Sequence, residues 1–205
     1  MEPLILPCGP AAVMIEVDDT EHAAQLAAHL RNAALEGVID MVPAARTVLV
    51  CAATTGDLAA VLRAVTAFVP GERPLVDGIA VEVPTVYDGD DLAEVAEAVG
   101  LSIPQLIDLH SSNEYRAAFC GFVPGFAYLT GLPQILRLAR RQNPRARVPG
   151  GSVAIGADFT GVYPSASPGG WHLLGRATVA MWDSARERPA FIEPGDRVRF
   201  VPVQG

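Results

Sequence analysis

The 205-residue sequence contains no lysine; all 15 of its basic residues are arginine. A Walker-type phosphate loop needs a lysine on the phosphates, a Schiff-base enzyme needs a primary amine, and a biotin carrier needs a lysine to modify. This chain by itself performs none of those three tasks. Cysteine is nearly as scarce. Cys8, Cys51 and Cys120 are odd in number, far apart and set in apolar runs, without a CxxC or His/Cys cluster. That pattern argues against a disulfide framework or structural zinc, and reduced thiols in the cytoplasm are the expectation. Long hydrophobic runs are also missing. Stretches such as "AAVMIEV" are too short to cross a bilayer, and the first residues lack a basic region followed by a long apolar one, so neither a membrane span nor secretion is expected. Positive charge is in deficit, 15 against 23 acidic residues for a net charge of -8, which disfavours a general nucleic-acid binder.

What is present describes a globular protein. Half of the residues are hydrophobic and 19% are charged, and the length suits one large domain or two small ones. The charge is unevenly placed. Between residues 111 and 150, Arg116, Arg137, Arg140, Arg141, Arg145 and Arg147 face Glu114 alone. A local basic region in an acidic chain suits a small anion or an acidic partner surface. Arg137, Arg140 and Arg141 read equally well as a solvated helix face. Arg145 and Arg147, inside the rigid loop "NPRARVPGGS", are the better anion ligands.

The chain reads as two halves of an α+β protein. Strand "AVMIEV", a helix opened by "DDTE" and closed at Gly37, strands "VIDMV" and "TVLVCA", a helix from Thr54 or Thr55 to Pro70 and Gly71, and strand "GIAVEV" give the order βαββαβ. That order predicts a ferredoxin-like domain over residues 1–84. His22 and His29 fall two turns apart on the first helix and read as surface residues. Two short helices follow, the second capped by Ser102 with Pro104 in its first turn. The short strands "RAAFCGF", "GSVAIGA", "TGVYP", "WHLLGR", "TVAMW" and "DRVRFVPV" then predict a small β-barrel or sandwich over residues 85–205.

The stretch "TGVYPSASPGGWHLLGR", Thr160 to Arg176, concentrates turn formers, hydroxyls, Trp171 and His172. Two readings stay open on spacing alone. In one, Gly169 and Gly170 let the backbone approach an anion while Trp171 walls a planar ligand and His172 handles a proton. In the other they turn a barrel corner, with Trp171 in the core and His172 toward solvent. The loops "GFVPGFAYL" and "RVPGGS" repeat the recipe and tip the balance toward a site. No G-x-S-x-G, H-E-x-x-H or G-x-G-x-x-G motif accompanies them. Ser152 is a weak candidate nucleophile, and Asp158, Asp183 and Glu193 are candidate bases without identifiable partners.

The segments "HSSNEYRAAFCGFVPGFAYLTGLP", "PRARVPGGSVAIGADFTGVYPSASPGGWHLLGRA" and "PAFIEPGDRVRF" closely resemble the allophanate hydrolase subunit 1 family, also described as carboxyltransferase subdomains C and D. That family includes the B-type subunit of the bacterial ATP-dependent 5-oxoprolinase and a Kip-type inhibitor of a sporulation histidine kinase. The resemblance implies a ferredoxin-like first domain and a cyclophilin-like barrel. It also implies one component of a larger enzyme, working with a homologous subunit 2 (the C-type subunit) and with an A-type subunit to open the lactam of 5-oxoproline at the expense of ATP. The matching loops would contribute Arg145 and Arg147 as anion clamps, Ser152, Thr160, Tyr163, Ser167, Trp171 and Arg176 as binding residues, Gly169 and Gly170 for backbone approach, and His172 as acid or base. Two other roles follow from the same resemblance: a binding module that inhibits a histidine kinase, and a component of a biotin-dependent carboxyltransferase whose carrier lysine lies on another chain. The sequence departs from the family where relatives carry a longer "YGGEFGPDL" segment with a histidine soon after, against "YDGDDLAEVAEAVGL" here. It also has "VPGGS" for the more usual "VPAGS".

Overall fold

The structure, a computed structural model, describes residues 3–71 and 78–205. The chain divides into two compact units, Met1–Val76 and Asp77–Gly205.

In the first unit, β1 (Leu4–Pro7), β2 (Ala12–Glu16), α1 (Thr20–Asn32), β3 (Val38–Pro43), β4 (Thr47–Ala52) and α2 (Leu58–Thr66) follow in order. The strands form a four-stranded antiparallel sheet in the order β1-β2-β4-β3. The acidic start of α1 does what its sequence suggests, since Asp19 Oδ1 accepts the His22 backbone N–H at 2.8 Å and caps the helix. Ahead of α2, the Asp57 carboxylate accepts from the Thr54 backbone N–H at 3.0 Å and from its hydroxyl at 2.7 Å. Alternate residues of β2 and β4 (Val13, Ile15, Val48, Val50) meet Leu26, Leu30, Val61 and Val65 of the helices to form this unit's core.

The second unit contains β5 (Ala80–Val86), α3 (Leu92–Ala98), α4 (Ile103–Ser111), β6 (Tyr115–Cys120), β7 (Ala127–Thr130), β8 (Arg145–Val148), β9 (Ser152–Gly156), β10 (Phe159–Val162), β11 (Ser167–Gly169), β12 (His172–Ala177) and β13 (Arg197–Pro202). Seven of these strands close a barrel in the order β10-β7-β6-β13-β5-β12-β9, so no edge remains open in it. β8 and β11 pair separately as a two-stranded sheet, with Ser167 opposite Val148 and Gly169 opposite Arg145. The cap of α4 is the one the sequence suggests: Ser102 Oγ accepts the Gln105 N–H while the Gln105 side chain reaches back to the Ser102 N–H.

Two expectations about the first half need correction. The strand "GIAVEV" does not complete a βαββαβ sheet. As β5 it runs parallel to β13, from Ala80 opposite Arg197 to Thr85 opposite Pro202, and antiparallel to β12, inside the barrel. The fourth strand of the first sheet is β1, which pairs with β2 from Leu4 opposite Glu16 to Pro7 opposite Val13. A boundary at 84/85 would cut β5, whereas the division at 76/77 leaves it whole. In the second half, "TVAMW" forms no strand of its own and contributes a single bridge, Trp182 to Ala190.

Candidate functional site

Three polar or aromatic arrangements of the second unit differ in what they leave free. The first is a knot around Asp91, one residue before α3, whose side chain is 2% exposed. Arg145 reaches it in bidentate fashion, Nη1 to Oδ2 at 2.9 Å and Nη2 to Oδ1 at 2.7 Å. Arg141 Nη1 donates to Asp91 Oδ1 and to Glu94 Oε2, each at 2.9 Å, and the Leu173 N–H donates to Asp91 Oδ2 at 2.7 Å. Burial alone would raise the Asp91 pKa, but the hydrogen bonds from Arg145 and Leu173 and the charges of both arginines outweigh it and hold the carboxyl below its ordinary value. Asp91 thereby ties the start of α3 to β8, to the segment before β8 and to β12.

The second arrangement is a hydrogen-bond chain through the barrel interior. His110, near the end of α4, is fully buried. Thr160 Oγ1 donates to the Ala154 carbonyl at 3.0 Å, so its lone pair is what faces His110 Nε2 at 3.0 Å. The imidazole therefore carries its proton on Nε2, and Nδ1 accepts from the Tyr87 hydroxyl at 2.8 Å. Desolvation pushes the His110 pKa down to about 3 and keeps the ring neutral. Rings of Tyr115 and Phe200 pack against it at centroid distances of 5.3 and 4.6 Å.

The third is an aromatic wall. Trp171 is 4% exposed and lies edge-to-face with Phe126 at 5.4 Å and Tyr128 at 5.7 Å, with Tyr163 at 6.5 Å. Gly156 makes room for it, since a Cβ there would come within 2.6 Å of the indole. The Arg140 guanidinium stands over the Trp171 ring, 5.9 Å from its centroid. At the rim of the wall, Phe122 is 57% exposed with φ 69°, a backbone conformation that a bulky residue seldom adopts. His172 Nε2 lies 2.9 Å from the Ala139 carbonyl, which fixes it as a donor and leaves Nδ1 buried without a partner among the described residues.

These arrangements sort the residues singled out from sequence. Arg145 is not an open anion clamp, because Asp91 occupies its fork. Arg176 pairs with Asp88 at 2.8 Å. Thr160 faces the barrel interior, where it serves His110. Tyr163 is buried; its hydroxyl takes a hydrogen bond from the Trp171 backbone and sits against Gly169, where a Cβ would come within 2.9 Å of its ring. Trp171 is a core residue, so the corner reading holds for it. Ser152 is buried at the start of β9, with its carbonyl accepting from the Tyr163 N–H at 2.9 Å. Ser167 Oγ is buried and unpartnered among the described residues, and the Gly170 carbonyl accepts the Arg141 N–H at 2.8 Å. Arg147 is exposed, with no carboxylate partner among the described residues. Arg140 is exposed and has none either, which reverses the preference for Arg145 over it.

Asp91, His110 and Tyr87 were not singled out from sequence. A lone histidine ending an amphipathic helix and an aspartate in an acidic turn carry no spacing signal. Their partners lie 50 and 54 residues away along the chain. Outside the second unit, a groove of about 530 Å³ in the first unit is lined by residues including Ile5, Val17, His22, Val65 and Phe68, and holds none of the selected residues. Among the described residues, no helix is long and apolar enough to cross a membrane.

Residues 3–192 match the family described as "Carboxyltransferase domain, subdomain C and D". A protein of Escherichia coli O157:H7 named as the B-type subunit of 5-oxoprolinase is 53% identical over 125 residues, 60% of this chain and 57% of that protein. One of the same name from Haemophilus influenzae is 41% identical over 131 residues, 62% of this chain and 61% of that protein. Among solved structures, that of TTHA0988 superposes with a TM-score of 0.79 at 38% identity, covering 95% of this chain and 40% of that one. The chain thus spans less than two thirds of each of these relatives.

Proposed function

The chain belongs to the family of carboxyltransferase domains, subdomain C and D, and on that premise we propose that it is the B-type subunit of an ATP-dependent 5-oxoprolinase of the cytoplasm. The observation that carries the reading is the pair of relatives, 53% and 41% identical, that bear the name of that enzyme's B-type subunit. In this reading it assembles with a homologous C-type subunit and with an A-type one, and the isolated chain does not turn over substrate.

The reaction adds water across the lactam C–N bond of 5-oxoproline to give glutamate. Amide resonance makes that carbonyl a poor electrophile; ATP would activate it by transfer of its terminal phosphoryl group to the amide oxygen with ADP leaving, after which addition of water breaks the C–N bond and releases inorganic phosphate. With no lysine in the chain, phosphate contacts from this protein fall to arginine, and Arg147 is exposed and uncommitted among the described residues.

The test is ATP-dependent glutamate release from 5-oxoproline by the mixed subunits, with each omitted in turn. Turnover that disappears without this chain supports an obligatory role in the complex. Undiminished turnover without it rules the reading out.

A further inference from the structure

The segment before β8 carries two adjacent arginines in opposite situations. Arg141 spends its side chain on Asp91 and Glu94, and its backbone N–H on the Gly170 carbonyl. Arg140 spends nothing on a carboxylate among the described residues, yet its backbone is held on both sides. The Ala139 carbonyl is gripped by His172 Nε2–H at 2.9 Å, the Arg141 N–H by Gly170 at 2.8 Å, and the Leu138 carbonyl accepts the Ala157 N–H at 2.8 Å.

The Arg140 side chain is oriented as well. The guanidinium carbon stands over the Trp171 ring, 5.9 Å from its centroid, and that ring is itself fixed by Phe126, Tyr128 and the bare Gly156. The arginine side chain is exposed and meets no carboxylate among the described residues, so its forked donors remain open to a carboxylate that can take two parallel hydrogen bonds. Tyr128 is partly exposed, and its hydroxyl has no hydrogen-bond partner among the described residues. The Arg140 charge acts on it, opposing the rise in pKa that burial causes, so the two donors lie in one neighbourhood.

We propose that Arg140, backed by Trp171 and joined by the Tyr128 hydroxyl, is the anchor for the carboxylate of a small cyclic substrate. His172 is a positioning residue that holds the Ala139–Arg140 backbone in place. This rests on the lactam-opening reading, in which the substrate is a five-membered ring bearing one carboxylate. The carboxylate would sit on the solvent side of Arg140, beside the partly exposed Tyr128. It also accounts for why His172 Nε2 is committed to a backbone carbonyl rather than left open for proton transfer.

The experiment measures steady-state kinetics of the assembled subunits with Arg140→Gln, Tyr128→Phe and His172→Gln. For Arg140→Gln the KM for 5-oxoproline is expected to rise about 10- to 100-fold, the range for a lost charge-assisted hydrogen-bond pair, with kcat within about threefold of wild type. Tyr128→Phe and His172→Gln shift KM in the same direction by less, and the pH profile of kcat keeps its shape in His172→Gln. An unchanged KM in Arg140→Gln, or a fall in kcat at constant KM, overturns the assignment while leaving the proposed function standing. If the assembly does not hydrolyse 5-oxoproline, calorimetric titration of the full chain with 5-oxoproline, succinate and acetate separates the two ideas. Carboxylate binding by wild type that is lost in Arg140→Gln upholds the anchor alone. No binding, or equal binding by both, overturns it.

Discussion

Arg140 and Arg141 are neighbours in sequence and identical in chemistry, and the fold uses them in opposite ways. Arg141, with Arg145, closes on the buried Asp91 carboxylate and joins three elements of the second unit. Arg140 lies over Trp171 with its donors uncommitted among the described residues. Local charge alone does not distinguish them, because the deciding partners stand at positions 91 and 171. A basic cluster in a sequence therefore reports how many cations are near one another. Which of them a ligand can reach depends on which find buried carboxylates first.

The sharpest way to break this comparison is to remove the knot. Asp91→Ala leaves two half-buried arginines and the Leu173 N–H without their acceptor, and should cost about 3 kcal/mol. Both tryptophans, Trp171 and Trp182, lie in the second unit, so urea unfolding followed by their fluorescence reads that unit alone. The sign with pH follows from the lowered Asp91 pKa. Its stabilisation is present above the unfolded carboxylate pKa, roughly 3.9, and is lost as pH falls through the folded value. Asp91→Asn should therefore flatten the wild-type decline below about pH 4.

His110 gives the next largest effect, in a different pH window. Its folded pKa of about 3 lies below the unfolded value near 6.5, so protonation favours the unfolded chain and stability falls as pH drops between the two. The loss grows by ~1.4 kcal/mol per unit, reaching about 2 kcal/mol by pH 5. His110→Gln should remove this slope between pH 6 and 4.5 whatever it does to absolute stability; a slope equal to wild type would contradict the buried neutral ring. Thr160→Val, which strands the Nε2–H, should cost about 1–2 kcal/mol in the same unfolding measurement. The smallest effects belong to the exposed cations. Arg176→Ala loses only an exposed pair with Asp88, and Arg140→Gln loses one stacking contact, so each should change stability by no more than about 0.5 kcal/mol.

Local signals made parts of the architecture legible. Asp19 and Ser102 cap the helices they precede because an oxygen side chain beside an open N–H needs nothing from the rest of the fold. β6, β9, β12 and β13 fall where short apolar runs lie between turn formers. β5 was legible as a strand but not in its allegiance, since its partners β12 and β13 come roughly a hundred residues later. β1 escaped because four residues at a sheet edge, mostly exposed, show no buried alternation. The site followed the same division. Trp171 and Gly169 were legible as important, but whether they faced a ligand or the core depended on Phe126 and Tyr163 filling the space around them. His110 escaped for the same reason as Asp91: its meaning comes from Tyr87 and Thr160 across the barrel.

The most direct test of the contrast between the knot and the anchor is a titration of the nitrogen-15-labelled chain with 5-oxoproline, followed at the two indole N–H resonances. The expected result is a saturable shift at Trp171, which backs Arg140, with Trp182 unmoved and with the shift abolished in Arg140→Gln. A shift at Trp182 alone, or a Trp171 shift that persists unchanged in Arg140→Gln, would contradict the assignment of ligand contact to Arg140.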